Sequence, residues 1–192
     1  ILEMSHRSKE FVAVMERARS LVKEVLNVPD DYEVLFLQGG ASLGFYMSAL
    51  NFMKQGGKGA YVNTGSWATK AIKEARRLGE VDVIASSEDK NFNYIPKDFQ
   101  VPGDADFFHF TSNNTIYGTC FVEPPKANGH IIADMSSEMF SRPIDYAPLS
   151  MIYAGAQKNL GPSGQAMVLI RDDFLATAPS GAIGRMWDYN IQ

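Results

Sequence analysis

Three short runs of this chain, Phe107-Phe108-His109-Phe110, Ile131-Ile132-Ala133 and Met151-Ile152-Tyr153-Ala154, are apolar at nearly every position rather than at every second one. An alternating strand can face water on one side. A strand apolar throughout needs cover on both faces, and sheets covered on both faces are mainly parallel, with helices as their crossovers. The intervening segments supply such helices. Lys9 to Leu26 repeats apolar residues at three- and four-residue steps (Phe11, Val14, Met15, Ala18, Leu21, Val22, Val25), with Glu16, Arg19 and Lys23 opposite and Ser8 as N-cap. Tyr32 to Leu37 reads as a strand, Gly39-Gly40-Ala41-Ser42 as a turn, and Leu43 to Met53 as a helix. Ala60 to Asn63 follows as a strand, Trp67 to Leu78 as a helix stopped by Gly79, and Val81 to Ala85 as another strand. Lys90 to Asp106 has no clear period, Glu123 to Gly129 reads as a surface crossing, and Gln165 to Ile170 is the last strand. The pattern predicts an α/β fold, a mainly parallel mixed sheet flanked by helices.

Composition removes several classes of function. A chain of 192 residues, 45% hydrophobic and 21% charged, is globular rather than disordered. A net charge of −4 and a pI near 5.4 weigh against a nucleic-acid partner. No run approaches the ~18 apolar residues of a membrane span, and no signal sequence opens the chain. The single cysteine, Cys120, can form neither an internal disulfide nor a cysteine-rich zinc site, and reads as an inert buried thiol. His109 reads as a satisfied core histidine, and His130 has no partner at metal-ligand spacing, so no metal is expected. Lys70, Lys73, Glu74, Arg76 and Arg77 read as a solvated helix face. The expectation is a soluble, cytoplasmic protein.

In open α/β sheets ligands bind beyond the carboxyl ends of the strands, so the residues just after each strand carry the functional question. Gly39-Gly40-Ala41-Ser42 lies at a helix start, where small residues and free N–H groups suit an anion, although a simple tight turn needs the same residues. Trp67 follows the next strand, as a core anchor or as a flat stacking plate. Asn113-Asn114-Thr115 can bond a ligand or only a turn. Asp134 directly after a buried strand is either an Asx turn toward Ser136 and Ser137 or the partner of a cation. Lys158, among small residues in Ala154-Gly155-Ala156-Gln157-Lys158-Asn159, reads as a surface charge or as a desolvated amine suited to attack a carbonyl. An anion cradle, an aromatic plate, a carboxylate and a lysine together match one ligand, pyridoxal phosphate (PLP), with its phosphate, flat ring, basic nitrogen and aldehyde.

The stretches Met4-Ser5-His6-Arg7-Ser8-Lys9-Glu10-Phe11, Phe36 to Ser42, Gly65-Ser66-Trp67-Ala68, Asn114-Thr115-Ile116, Ala133-Asp134-Met135-Ser136-Ser137, Ser141-Arg142-Pro143-Ile144-Asp145 and Tyr153 through Gly161 run in order over nearly the whole chain. In these stretches the chain resembles the phosphoserine aminotransferase family, class V aminotransferases of fold type I that use PLP. The resemblance implies that Lys158 carries the cofactor as an aldimine and acts as general base and acid. It implies that Asp134 faces the pyridine nitrogen, Trp67 stacks on the ring, and Thr115 bonds near the ring hydroxyl. Ala41 and Ser42 would hold the phosphate through their N–H groups beside Gln157, while His6 and Arg7 would bind the anionic substrate. The implied reaction moves an amino group from L-glutamate to 3-phosphohydroxypyruvate, giving O-phospho-L-serine and 2-oxoglutarate, for serine and for pyridoxine precursors.

The resemblance also implies a homodimer with its active site at the interface, for which Phe45, Tyr46, Met47 and Phe52 suit either interface or core. Residues 1–192 would be the PLP-binding large domain, without the family's N-terminal segment and C-terminal small domain. Some members carry arginine where this chain has Ser42, and residues 176–192 match only loosely. Three alternatives stand beside this reading. Another class V enzyme, such as a desulfurase, would need a catalytic cysteine on a mobile loop, which Cys120 after Gly118-Thr119 does not resemble. A nucleotide-binding module would need G-x-G-x-x-G or a Walker A pattern, absent after the first strand. An incomplete chain, inactive without its missing domain, is the third.

Overall fold

The computed structural model describes residues 3–179 and 181–192. Helix α1, Lys9–Leu26, begins where Ser8 Oγ accepts the N–H of Phe11 at 3.2 Å, and ends at Asn27 in the left-handed region. Strand β1, Tyr32–Gln38, leads into α2, Gly40–Phe52; β2, Lys58–Asn63, leads into α3, Ser66–Ala75; β3 is Glu80–Ser86. Beyond the irregular stretch come β4, Phe107–Thr111, and a small hairpin of β5, Asn113–Asn114, with β6, Thr119–Cys120. Then follow β7, Ile131–Asp134, β8, Met151–Gly155, β9, Gln165–Arg171, and a short α4, Asp172–Leu175.

Seven strands form one sheet in the order β1-β9-β8-β7-β4-β2-β3. The pairs β3–β2, β2–β4, β4–β7 and β7–β8 are parallel, and β9 runs antiparallel to both of its neighbours, so the sheet is mixed through one reversed strand. The fully apolar strands divide their residues between two cores. Phe108, Phe110, Ile131, Ala133, Ile152 and Ala154 face one core with Val22, Leu26 and Tyr32. Phe107, Ile132, Met151 and Tyr153 face the other, with Phe45, Met47 and Phe52 of α2 and Ile72 of α3. The two-residue period of a strand sends neighbours to opposite faces, so a sheet covered twice needs no polar positions.

Several expectations are corrected. Helix α2 starts at Gly40, three residues before Leu43, because Gly39 and Gly40 take φ of 90° and 62° and turn the chain straight into the helix. Helix α3 ends at Ala75, three residues short of Leu78, and the last residues form a turn. The apolar face of α1 is only partly covered: Val22 and Leu26 are buried, while Val14 and Val25 are exposed. Only the C-terminal half of that helix reaches the core beside edge strand β1, where Arg19 Nε also donates to Val34 O at 3.1 Å. Phe45, Met47 and Phe52 belong to the core of this chain rather than to an outer surface, and Tyr46 is half-buried. The C-terminal segment covers α2, with Asn51 Nδ2 donating to Trp187 O at 2.7 Å and Asn51 Oδ1 accepting from Tyr189 N at 3.1 Å. Cys120 is exposed, not buried, because it lies in the outlying hairpin. His109 is buried and bonds Tyr153 Oη through Nε2 at 2.8 Å, but its Nδ1 has no partner among the described residues. Burial pushes its pKa down to about 3, so the ring is neutral.

Helix α2 lies close to the sheet because residue 44 has no side chain. A Cβ there would stand 2.7 Å from Tyr153 Cδ2. Gly44→Val is expected to lower stability by about 1–3 kcal/mol through overpacking, seen as a lower urea midpoint at unchanged slope.

Candidate active site

The parallel strands end on one side of the sheet, and a cavity of about 230 Å³ opens there. Its walls come from the α2 start (Gly39 to Ser42), from Trp67, from Asp134 and the serines after it, and from Gln157 and Lys158 after β8. The first N–H groups of a helix have no intrahelical acceptor, so Ala41 and Ser42 present donors where the helix dipole favours an anion. Gly155 permits that approach: a Cβ there would stand 2.7 Å from Gln157 Oε1 and 3.1 Å from Ala41 N.

Asp134 is the last residue of β7 and is only 4% exposed. Its Oδ1 accepts the N–H of Ser136 at 3.1 Å and the hydroxyl of Ser136 at 2.6 Å, while Oδ2 takes no hydrogen bond among the described residues. The Asx turn toward Ser136 is therefore formed, and the same carboxylate lines the cavity with no cation bonded to it among the described residues. Burial raises its pKa above the ordinary carboxylate value, against the opposing pull of the Ser136 donors and the charge of Lys158.

Of the two readings of Lys158, a surface charge or a desolvated amine, the residue is exposed in this chain. Its Nζ donates to Thr115 Oγ1 at 3.2 Å and stands 5.4 Å from the centroid of the Trp67 ring. Lys70 Nζ stands 4.5 Å from the same ring, so two cations use one indole. Trp67 is half-buried at the start of α3, and its Nε1 is buried without a partner among the described residues. Asn114 wedges the hairpin against the preceding turn: its Oδ1 accepts from Thr64 Oγ1 at 3.4 Å.

Ala41, Ser42, Trp67, Asp134, Gln157 and Lys158 thus share one cavity, and Thr115 joins it through Lys158. His6 and Arg7 are exposed and stand outside the lining. Among the described residues no three His, Cys, Asp or Glu side chains come together as metal ligands, and no helix is long and apolar enough to cross a membrane. Asn113, read as a ligand or turn residue, lies in the wall, while Ser136 and Ser137, read only as the targets of an Asx turn, were missed as wall residues. Asn113 Nδ2 donates to Ser137 Oγ at 3.1 Å, which ties the hairpin to the turn after Asp134. The two-residue spacing of Asp134 and Ser136 was the available signal.

The residues fit PLP. A helix start suited to an anion, an indole face and a buried carboxylate with a vacant oxygen border one cavity, and an amine reaches its rim. The aminotransferase class-V family model matches residues 2–189. A phosphoserine aminotransferase of Porphyromonas gingivalis is 58% identical over 180 residues, covering 91% of this chain and 49% of that protein. The solved phosphoserine aminotransferase of Bacillus circulans subsp. alkalophilus superposes with a TM-score of 0.94 at 44% identity, covering 99% of this chain and 53% of that one. The PLP-bound phosphoserine aminotransferase of Trichomonas vaginalis gives 0.91 at 33% identity, covering 100% and 55%. The chain therefore spans about half the length of the relatives it matches.

The raised carboxyl of Asp134 has a measurable signature. Between the unfolded carboxyl value of about 3.9 and the higher folded one, the native chain binds more protons than the unfolded chain, so stability falls as pH rises through that window. Asp134→Asn keeps an acceptor for Ser136 and removes the buried charge. The variant is expected to be more stable than the parent at about pH 7, with the gap closing below about pH 4, in urea unfolding across pH.

Proposed function

This chain belongs to the class-V aminotransferase family, and on that premise we propose that residues 1–192 form the PLP-binding large domain of a phosphoserine aminotransferase. One observation carries the reading: the α2 start, Trp67, Asp134 and Lys158 border a single cavity at the carboxyl ends of the strands. PLP, when bound, supplies an electron sink for the carbanion formed at the substrate α-carbon.

The N–H groups of Ala41 and Ser42, with Gln157 beside them, hold the phosphate. Trp67, which lines the cavity, would offer its indole to the ring. Asp134, whose Oδ1 is taken by Ser136, would hold the ring nitrogen and keep it protonated, and a cationic N–H would offset the desolvation of that carboxylate. Thr115 accepts a hydrogen bond from Lys158 Nζ at 3.2 Å and would orient that amine, which would serve as the general base for the α-proton of the amino donor and as the acid that gives it back. His6 and Arg7 receive the carboxylate or phosphate of the substrate, and a guanidinium fork suits either group. Their exposure and that of Lys158 fit a site closed by a second copy of the chain in a homodimer.

The amino donor is L-glutamate and the acceptor 3-phosphohydroxypyruvate, giving 2-oxoglutarate and O-phospho-L-serine in the cytoplasm, with pyridoxine precursors as a second product class. Supporting this choice are the phosphoserine aminotransferase relatives at 50–58% identity. Another class V reaction on the same scaffold is the competing reading.

Adding PLP and then borohydride to the purified chain is expected to leave the mass of the reduced cofactor on the peptide containing Lys158. A label on another lysine defeats the assignment of Lys158. In the full-length gene product Lys158→Ala is expected to cost about 10²–10⁴-fold or more in transamination of phosphohydroxypyruvate by glutamate.

A further inference from the structure

We propose that Ser136 is a positioning residue whose hydroxyl clamps Oδ1 of Asp134, so that Oδ2 is the oxygen offered to the cavity. The meaning of that offer rests on the PLP reading above, while the clamp itself belongs to the cofactor-free chain.

A serine hydroxyl has one proton to give. Gly155 N–H donates to Ser136 Oγ at 3.0 Å, filling an acceptor position, and Asp134 Oδ1 lies 2.6 Å away on the same oxygen. The proton is therefore committed to Asp134. The N–H of Ser136 itself bonds that oxygen at 3.1 Å, so Oδ1 carries two donors while Oδ2 has none among the described residues. Hydrogen bonds to an ionised acceptor are the short, strong kind. Both donors act on the same oxygen, and both favour the ionised form against burial.

The other titratable groups acting on Asp134 are few. Lys158, in the loop after β8, favours the carboxylate, and Tyr153, its register partner on β8, is buried and un-ionised. From β4, the register partner is the neutral Thr111, and His109 is neutral and bonded to Tyr153. Neutral Ser137 bonds the backbone of Asn113 at 3.1 Å instead. Ser136 is thus the side chain that fixes which oxygen of Asp134 is free.

The test titrates the Asp134 carboxyl in the cofactor-free chain by carbon-13 NMR, in the parent and in Ser136→Ala, Ser136→Cys and Ser136→Thr. Loss of a hydrogen bond to a charged group is expected to raise the proton affinity of Asp134 about tenfold or more in the alanine variant. The cysteine variant, near in size but a weak donor, shifts the same way, and threonine restores the parental titration. Cysteine also gives the reading if alanine fails to fold. A parental titration in a folded alanine or cysteine variant overturns the clamp. A parent chain that takes no PLP onto Lys158 overturns the cofactor reading, and with it the role given to Oδ2, while the NMR arm still decides the clamp.

Discussion

The rest of this structure depends on the requirement that both faces of the central sheet be dry. Strands such as Ile131–Asp134 and Met151–Gly155 carry apolar residues at both parities, so neither face tolerates water. One face is closed by the end of α1 and the irregular segments around Phe99, Phe121 and Met139, the other by α2, α3 and the C-terminal turns. With both faces taken, the strand ends are where polar side chains can gather without breaking the core. The cavity lies at those ends for that reason.

Within that cavity the expensive element is a carboxylate at the end of a buried strand. Asp134 loses most of its hydration, and the chain returns two donors from Ser136 and a lysine charge. Their sum leaves its proton affinity above the ordinary value, so the protein holds an incompletely satisfied acceptor aimed at open space. A group tuned this way is poor at stabilising a fold and well suited to receiving a cationic N–H. The indole of Trp67, approached by two ammonium groups, tells the same story from the opposite wall.

Most of the architecture was legible because the strands are short, apolar and separated by helices with a clear period. The limits of α1 could be read to the residue from Ser8 and the three- and four-residue apolar period. Ala41, Ser42, Trp67, Asp134 and Lys158 could be picked out because strand ends are local features, whereas Gln157 came only with the family resemblance. What escaped depended on distant partners. The hairpin at Asn113 and Thr119 has two-residue strands, too short for any periodicity. The part played by Ser136 requires Gly155, nineteen residues on, which supplies the donor that commits its proton. The burial of Phe45, Met47 and Phe52 is completed by Asn51 gripping the backbone near Trp187. Local smallness around Lys158 left a surface charge and a desolvated amine both open, because small neighbours on one chain do not by themselves enclose an amine.

The reversed strand gives Lys158 an unusual mounting. Because β9 runs back beside β8, the segment bearing Gln157 and Lys158 is a closed bight whose two feet are locked at Gly155 and Ala166. At its far foot Gly164 O accepts the N–H of Gly39, the residue just ahead of α2. The amine and the start of α2 are therefore moored to one post. Lengthening or shortening the bight would drag both together, so evolution can retune neither position alone by changing its length.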